Sequence, residues 1–503
     1  MVTYSVISTW VSERLAEKPD SSAIKLLGVA TATTVLYCTL IIIYRLFFHP
    51  LAKYPGPFLA KITDWYLAYF VFQGRATKTR YEWQKKYGEI VRVSPNELQF
   101  GDLASVKEIY GQSSLMPAKD PTFYHPFSVT GHPNILSSCD RAEHSRIRRL
   151  LSYAFSYSNV LNFEQRLSEK INTFTQIIGK TERPTDIYHL IHHLFLDTIS
   201  DLSFDRSFDC LRGNSVDEAM DAERTLMITS MKGLIPFIEW VPLDFIQTAV
   251  KARPRLISFA TACVRDLHAR IMDNKVNQSS LLERMMKTKD DGDVLSEGEL
   301  VENAIIFLQA GAGTSHLTLV YFIWHLEKNP HVRERLVDEI RTAFPDTGVM
   351  PDYKTLDALP YLDKVWTEVL RLQAPLAVNI PRVSPGRTIA GKYIPKGVKV
   401  ANLAYYTQHH PSVYPDPWKF DPDRWNDPTS QMKSMHRPFS LGPRNCIGMH
   451  VAKVQIYLAV GAIYQRYNVT VDPVITEEMM MEEDRGILFP HRQKFLVQFK
   501  NRQ

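Results

Sequence analysis

The sequence predicts a mainly α-helical protein with small β-sheets, set behind an N-terminal transmembrane helix. Three observations carry this reading. Residues 26–44, LLGVATATTVLYCTLIIIY, contain no charged side chain. Most of the chain beyond residue 100 has helical character, with charged faces and apolar stripes. Glu89 to Phe100, EIVRVSPNELQF, departs from that pattern with two short β runs around a Ser-Pro-Asn turn.

The uncharged run is long enough to cross a bilayer core of about 30 Å as a helix. Lys25 and Arg45 flank it. A cleavable signal peptide is the rival reading, but the run starts late and lacks an obvious small-residue cleavage site. A buried core helix is the other alternative. Arg14, Lys18 and Lys25 lie on the N-terminal side, so the positive-inside rule does not decide orientation. The sequons Asn277-Gln-Ser and Asn468-Val-Thr would be glycosylated only if the main body were lumenal. The next segment, HPLAKYPGP (His49 to Pro57), is Pro-rich and reads as a stiff connector. The chain thus divides into a tail (1–25), an anchor (26–44), a Pro-rich hinge (45–57) and a globular body (58–503).

Within the body, residues 234–246, LIPFIEWVPLDFI, are apolar for a Pro-interrupted stretch and read either as core or as a segment dipping into the bilayer. Ser296 with Glu299 fits a capping box, and Asn329-Pro330 marks a far end, predicting a helix of about thirty residues, or about 45–50 Å. Its middle reads AGAGTS, Ala310 to Ser315. Two glycines inside a helix cost about 1 kcal/mol each relative to Ala, which points to a kink, the close approach of a flat group, or tight helix packing.

The net charge of +5 gives no case for nucleic acid. Five scattered cysteines do not form a disulfide framework, and the lack of a C-x-x-C pair weakens a zinc or iron–sulfur reading. One cysteine stands apart. Cys446 lies in FSLGPRNCIG, just before a helix whose face carries Val451, Val454 and Leu458. A helix N-terminus favours thiolate over thiol, and a thiolate is a nucleophile or a metal ligand. Gly442 and Gly448 let a large planar group approach the backbone, and Arg444 can pair with a carboxylate on it. Haem has both features. A cysteine nucleophile with His450 as its base is the alternative on local sequence.

FSLGPRNCIG resembles the haem-binding signature of the cytochrome P450 superfamily at Phe439, Gly442, Arg444, Cys446 and Gly448. EVLR (Glu368 to Arg371) resembles that family's Glu-x-x-Arg, FDPDRW supplies Arg424 as the third member of its Glu-Arg-Arg network, and AGAGTS resembles its oxygen-binding helix segment. The four stretches occur in the family's order, and the overall character is similar to membrane-bound fungal enzymes of secondary metabolism.

The resemblance implies a cytochrome P450 fold, with 58–503 as the haem-thiolate catalytic domain. It implies haem b (iron protoporphyrin IX), with Cys446 as axial ligand and Phe439 shielding the sulfur. Arg444, His144, Arg148 and Arg382 would face the propionates, with Gly448 beside the sulfur. Glu368, Arg371 and Arg424 would form a structural network. Thr314 matches the threonine that helps deliver protons to oxygen. The position before it, usually acidic in the family, is Gly313; proton relay would then run through water, Ser315 or a substrate hydroxyl. The substrate-pocket candidates are Phe123, Tyr124, Phe127, Phe307, Ala310, Ala377 and Val378, which are mostly apolar, as a lipophilic ligand requires.

The chain has no flavin or nicotinamide fingerprint, so electrons must come from another protein. The resemblance implies NADPH–cytochrome P450 reductase, with cytochrome b5 as a further partner, at the endoplasmic reticulum membrane with the catalytic domain cytosolic. Arg141, Arg146, Arg437 and Lys453 are candidates for a basic docking face. The expected activity is a monooxygenase placing one oxygen atom from O2 on a lipophilic small molecule. A haem-thiolate isomerase, dehydratase or cyclising enzyme is the second reading, with Gly313 as its local support, and a non-catalytic haem carrier or sensor is the third.

Overall fold

The computed structural model describes residues 21–112, 116–181, 183–214, 217–276, 280–286, 294–378 and 380–502. The sequon at Asn277 and the basic residues Arg14 and Lys18 lie outside the described residues.

The N-terminal helix α1 spans Ser21–Ile43 and widens into a π-helical turn over Tyr44–Phe48. Residues 24–48 are long and apolar enough to cross a membrane, and none of the most apolar window is buried against the body. Thr31, Thr33, Thr34 and Thr39 each donate their hydroxyl to the carbonyl four residues back at 2.8 Å. The helix thereby satisfies its own polar side chains, as an apolar medium demands. Residues 49–57 are fastened to the body: Leu51 and Tyr54 are buried, and the Arg92 N–H donates to the Pro55 carbonyl at 2.8 Å.

Helices α2 (Trp65–Phe72) and α3 (Ala76–Tyr87) lead into the expected hairpin, β1 (Ile90–Ser94) and β2 (Glu97–Phe100). Strand β3 (Ala118–Lys119), helices α4 (Arg141–Ser152), α5 (Tyr188–Phe204), α6 (Asp217–Lys232) and α7 (Asp244–Met272) follow. Then come α8 (Glu297–Lys328), α9 (Pro360–Gln373), β4 (Arg382–Val383), β5 (Lys399–Asn402) and α10 (Met449–Arg466). The main sheet has the order β1-β2-β5-β4-β3. Only the β2–β5 pair is parallel; the register of the last pair sets Lys119 opposite Arg382.

Helix α8 is the axis of the body and packs against α5, α7, α9 and α10. The capping box forms as its residues predict: Ser296 N–H donates to Glu299 at 2.8 Å and Glu299 N–H to Ser296 Oγ at 3.3 Å. Gly311 serves helix packing, since a Cβ there would come within 2.8 Å of Ile199 on α5. The 234–246 stretch divides between both readings: Ile235, Ile238 and Ile246 are core, whereas Phe237, Leu243 and Phe245 are exposed and Trp240 is 85% exposed.

Candidate active site

The Cys446 loop is shaped by its glycines and closed by its backbone. Gly442 has φ +66, and a Cβ there would collide with the Tyr110 carbonyl oxygen. The Cys446 N–H donates to the Phe439 carbonyl at 2.9 Å. Phe439 stacks against Trp366 at 6.3 Å between ring centroids. The Cys446 side chain has open surface although protein surrounds it, so the opening faces inward. A Cβ on Gly448 would meet only the Cys446 sulfur, at 3.9 Å, which leaves room beside it for a flat group. Burial pushes the thiol pKa up, opposed by the Gly448 N–H and by Arg148. Arg148 donates to the Asn445 carbonyl at 2.8 Å and to its side-chain oxygen at 2.5 Å, so it braces the cysteine loop. His450 makes no hydrogen bond to Cys446 and packs edge-on against Tyr157 at 5.5 Å. The cysteine-nucleophile alternative therefore lacks its base.

A buried cluster of cations lies near this loop. Arg444 donates to the carbonyls of Ser138 (3.0 Å), Asp140 (3.3 Å) and Cys139 (3.4 Å). Arg382 donates to the Tyr124 hydroxyl at 2.6 Å, while its buried Nε has no protein partner. Lys119, across the strand from Arg382, donates to the carbonyls of Leu136 (2.7 Å) and Ile135 (3.2 Å). Its neighbour Asp120 is committed to Lys399 at 2.9 Å. Burial, followed by Lys119, Arg444, Arg148 and Arg382, pushes the His144 pKa down to about 2. Burial and the same arginines hold Lys119 well below the ordinary lysine value. Among the described residues, no carboxylate forms an ion pair with Lys119, Arg148, Arg382 or Arg444. Burial thus drives His144 and Lys119 toward their neutral forms, and an anion placed among them and Arg148, Arg382 and Arg444 would restore their protons and offset the charge.

A planar group with two carboxylates and a metal that takes a soft axial donor fits these residues. Cys446 would hold haem iron, and Arg444, Arg382, His144 and Lys119 would face the propionates. Haem, when bound, supplies oxygen binding and one-electron chemistry that no side chain here supplies. Lys119 was not signalled by any local motif; only the β3–β4 register brings it to the cluster. Tyr124, a pocket candidate from the sequence, instead holds Arg382 through its hydroxyl.

The opposite wall is α8. Its middle turns are buried except at Ala310, which is exposed, and at Gly311 and Thr314, which are half-buried. The Thr314 hydroxyl donates to the Ala310 carbonyl at 2.6 Å. That fixes its proton inward and leaves its lone pairs free to accept from water. Ser315 does not join it. Gln455 of α10 donates to the Ser315 hydroxyl at 2.5 Å, one helical step away from the Thr314 face. Ser315 is thus engaged by Gln455 rather than by Thr314, and Gly313 offers no side chain to serve as an acid.

Other pocket candidates separate similarly. Phe123 lies 4.9 Å from Tyr124 and 5.7 Å from Phe127 in one aromatic cluster. Phe307 packs edge-on against Phe155 at 5.2 Å inside the main core. Ala377 and Val378 are core residues beside Tyr81 and Leu403, whereas the preceding Leu376 is exposed. The loop carrying Phe127 is tied to α8: Glu302, fully buried, accepts from the Thr130 N–H and from Asn134 Nδ2 (3.1 Å).

Behind the site, Glu368 is saturated. It accepts from Arg371 twice at 2.8 Å, from Arg424 at 2.9 Å, from the Trp425 indole at 2.9 Å and from the Asp421 N–H at 3.0 Å. Trp425 was absent from the sequence reading, although it follows Arg424 directly. The basic docking face shrinks. Arg437 is buried, donating to the Asn402 carbonyl at 3.0 Å, and cannot reach a partner. Lys453 is paired with Asp357 (2.9 Å) and Asp363 (3.0 Å), and Arg146 with Glu299 (2.6 Å). Arg141 remains exposed.

Residues 63–498 match the family model for cytochrome P450. The chain is 30% identical to the cytochrome P450 monooxygenase ORF9 of Penicillium roqueforti, over 90% of each chain. It is 31% identical to the cytochrome P450 monooxygenase tazI of Aspergillus terreus, covering 90% of this chain and 94% of that one. It is 28% identical to a fusicoccadiene 8-ol C-16 hydroxylase of Alternaria brassicicola, covering 86% and 90%. The crystal structure of the cytochrome P450DA heme domain superposes with a TM-score of 0.74 at 20% identity, covering 86% of this chain and 95% of that one. With the fold, the cysteine loop and the Glu368 network in place, the chain belongs to the cytochrome P450 family and is an oxidoreductase of its monooxygenase class.

Proposed function

We propose that this enzyme hydroxylates a lipophilic small molecule in fungal secondary metabolism. One observation carries the reading: α8 opens at Ala310, Gly311 and Thr314 and is otherwise buried there, so an apolar wall and one held hydroxyl meet the reacting space. An apolar wall suits an unactivated carbon, and a positioned hydroxyl suits proton delivery. The hydroxylase among the relatives supports the reaction type. Electrons come from NADPH through the membrane-bound NADPH–cytochrome P450 reductase, with cytochrome b5 as a second donor. The body sits on the cytosolic face of the endoplasmic reticulum. The apolar helix at residues 24–48 supports anchoring, and so does a surface of Trp65, Tyr69, Phe237 and Trp240, in which Trp65 and Phe237 lie 5.4 Å apart.

The test is turnover of lipophilic fungal metabolites, chosen by the spin-state shift they cause, with purified reductase, NADPH and isotopic O2. One labelled oxygen atom per product is expected. A rearranged, dehydrated or cyclised product without label would replace this reading with the isomerase or dehydratase alternative, for which Gly313 is the local support.

A further inference from the structure

We propose that Arg45, His49 and Lys61, backed by Arg92, form a site for the phosphate of an anionic phospholipid where the N-terminal helix meets the body. The proposal rests on the membrane reading above and gives it a chemical partner.

Arg92 on β1 is fully buried. Its guanidinium donates to the Arg45 carbonyl at 2.8 Å and to the Pro95 carbonyl at 2.8 and 3.2 Å. Arg45 in turn donates from Nη1 to the carbonyl of Ile62, the neighbour of Lys61. His49 Nδ1 accepts from the Leu51 N–H at 3.1 Å, so the neutral ring carries its proton on Nε2 and is a donor there. Arg45, His49 and Lys61 are half-buried. Among the described residues no carboxylate forms an ion pair with Arg45, Lys61 or Arg92. Asp64, three residues beyond Lys61, accepts from the Ser94 hydroxyl at 2.6 Å. The field of Arg92 reaches its neighbours: after burial, it is what lowers the proton affinity of both His49 and Lys61.

Arg92 holds the Arg45 backbone and Arg45 reaches the carbonyl beside Lys61, so these cations and the His49 donor lie on adjoining segments, and arginine with lysine suits a phosphate diester. Position selects the source. The cluster begins in the last turn of the helix over residues 24–48, at headgroup depth if that helix spans the bilayer. Phe47, Phe48 and Phe58 stand exposed around it, as aromatic side chains do at the boundary between headgroups and acyl chains. A free phosphate ion would make no use of them.

The test uses the full haem-loaded chain in neutral detergent, with short-chain phosphatidylglycerol, phosphatidylcholine and inorganic phosphate as probes. Native mass spectrometry should find one phosphatidylglycerol retained per chain, in about tenfold preference to phosphatidylcholine. Arg45→Gln with Lys61→Gln should abolish that preference and leave the haem spectrum unchanged. An undiminished preference in the double variant would overturn the site, as would equal competition by inorganic phosphate. Flotation on phosphatidylcholine vesicles separates the two readings. If neither protein floats, the anchor itself fails. If both float but the wild type shows no lipid preference, only the headgroup site fails.

Discussion

Lys119 and Arg382 face each other across antiparallel strands, both buried, and among the described residues neither forms an ion pair with a carboxylate. Opposed like charges destabilise a sheet, so this pair is explained by a ligand that brings negative charge. Lys119→Met should therefore have opposite effects on two states. Haem loss to apomyoglobin should quicken by about tenfold or more, because a charge-assisted hydrogen bond contributes about 1.5–3 kcal/mol. The cofactor-free chain should melt no lower than wild type. Equal destabilisation with and without haem would make Lys119 a packing residue only.

Glu368 has five hydrogen bonds and no exposed surface. Glu368→Gln would leave Arg371 and Arg424 facing a neutral amide. Breaking a buried ion pair costs about 3–5 kcal/mol, and urea melts of the variant should show a loss of that order. Trp425→Phe, which deletes one donor but keeps the charges, should lose only about 1 kcal/mol.

Thr314 and Ser315 are neighbours in sequence with divided roles. Thr314→Ala should raise peroxide release per NADPH consumed, since the positioned hydroxyl is lost. Ser315→Ala should leave that ratio unchanged and lower stability slightly by stranding Gln455. Similar uncoupling in both variants would place Ser315 back in the relay.

Acid should destabilise the protein through its buried imidazoles, including three that lie outside the His144 cluster. Burial pushes His409 down to about 3, and His325 and His436 down to about 4. Their unfolded value is about 6.5, so below that pH the unfolded chain takes up protons that the folded one refuses. Their contribution is complete above about pH 6.5 and is lost as pH falls toward 4, by up to about 1.4 kcal/mol per pH unit for each group. Melting temperature followed from pH 8 to 5 should show this slope, and His409→Gln should flatten it.

Features set by neighbours in sequence were legible. The capped ends of α8, the glycine-shaped Cys446 loop and the i, i+3 spacing of Glu368 and Arg371 depend on residues a few positions apart. What escaped depends on distant segments. Lys119 acquires meaning only through a strand partner 263 positions away, by the pairing of residues 119 and 382. Arg437 looks like a surface cation in isolation and is buried because the β5 region closes over it. Ser315 shows the finer limit: one residue on a helix turns a side chain about 100°, enough to exchange the reacting space for Gln455.

Glu302 joins the loop carrying Phe127 to the helix carrying Thr314. Anyone retailoring this enzyme by transplanting that loop from a relative inherits the attachment. A donor segment without a backbone N–H and an amide where Thr130 and Asn134 stand would strand the carboxylate. The chimera would then fail by unfolding before its new selectivity could be assayed. A successful exchange has to move the tether with the loop, or replace Glu302 with an apolar side chain of similar volume at the same time.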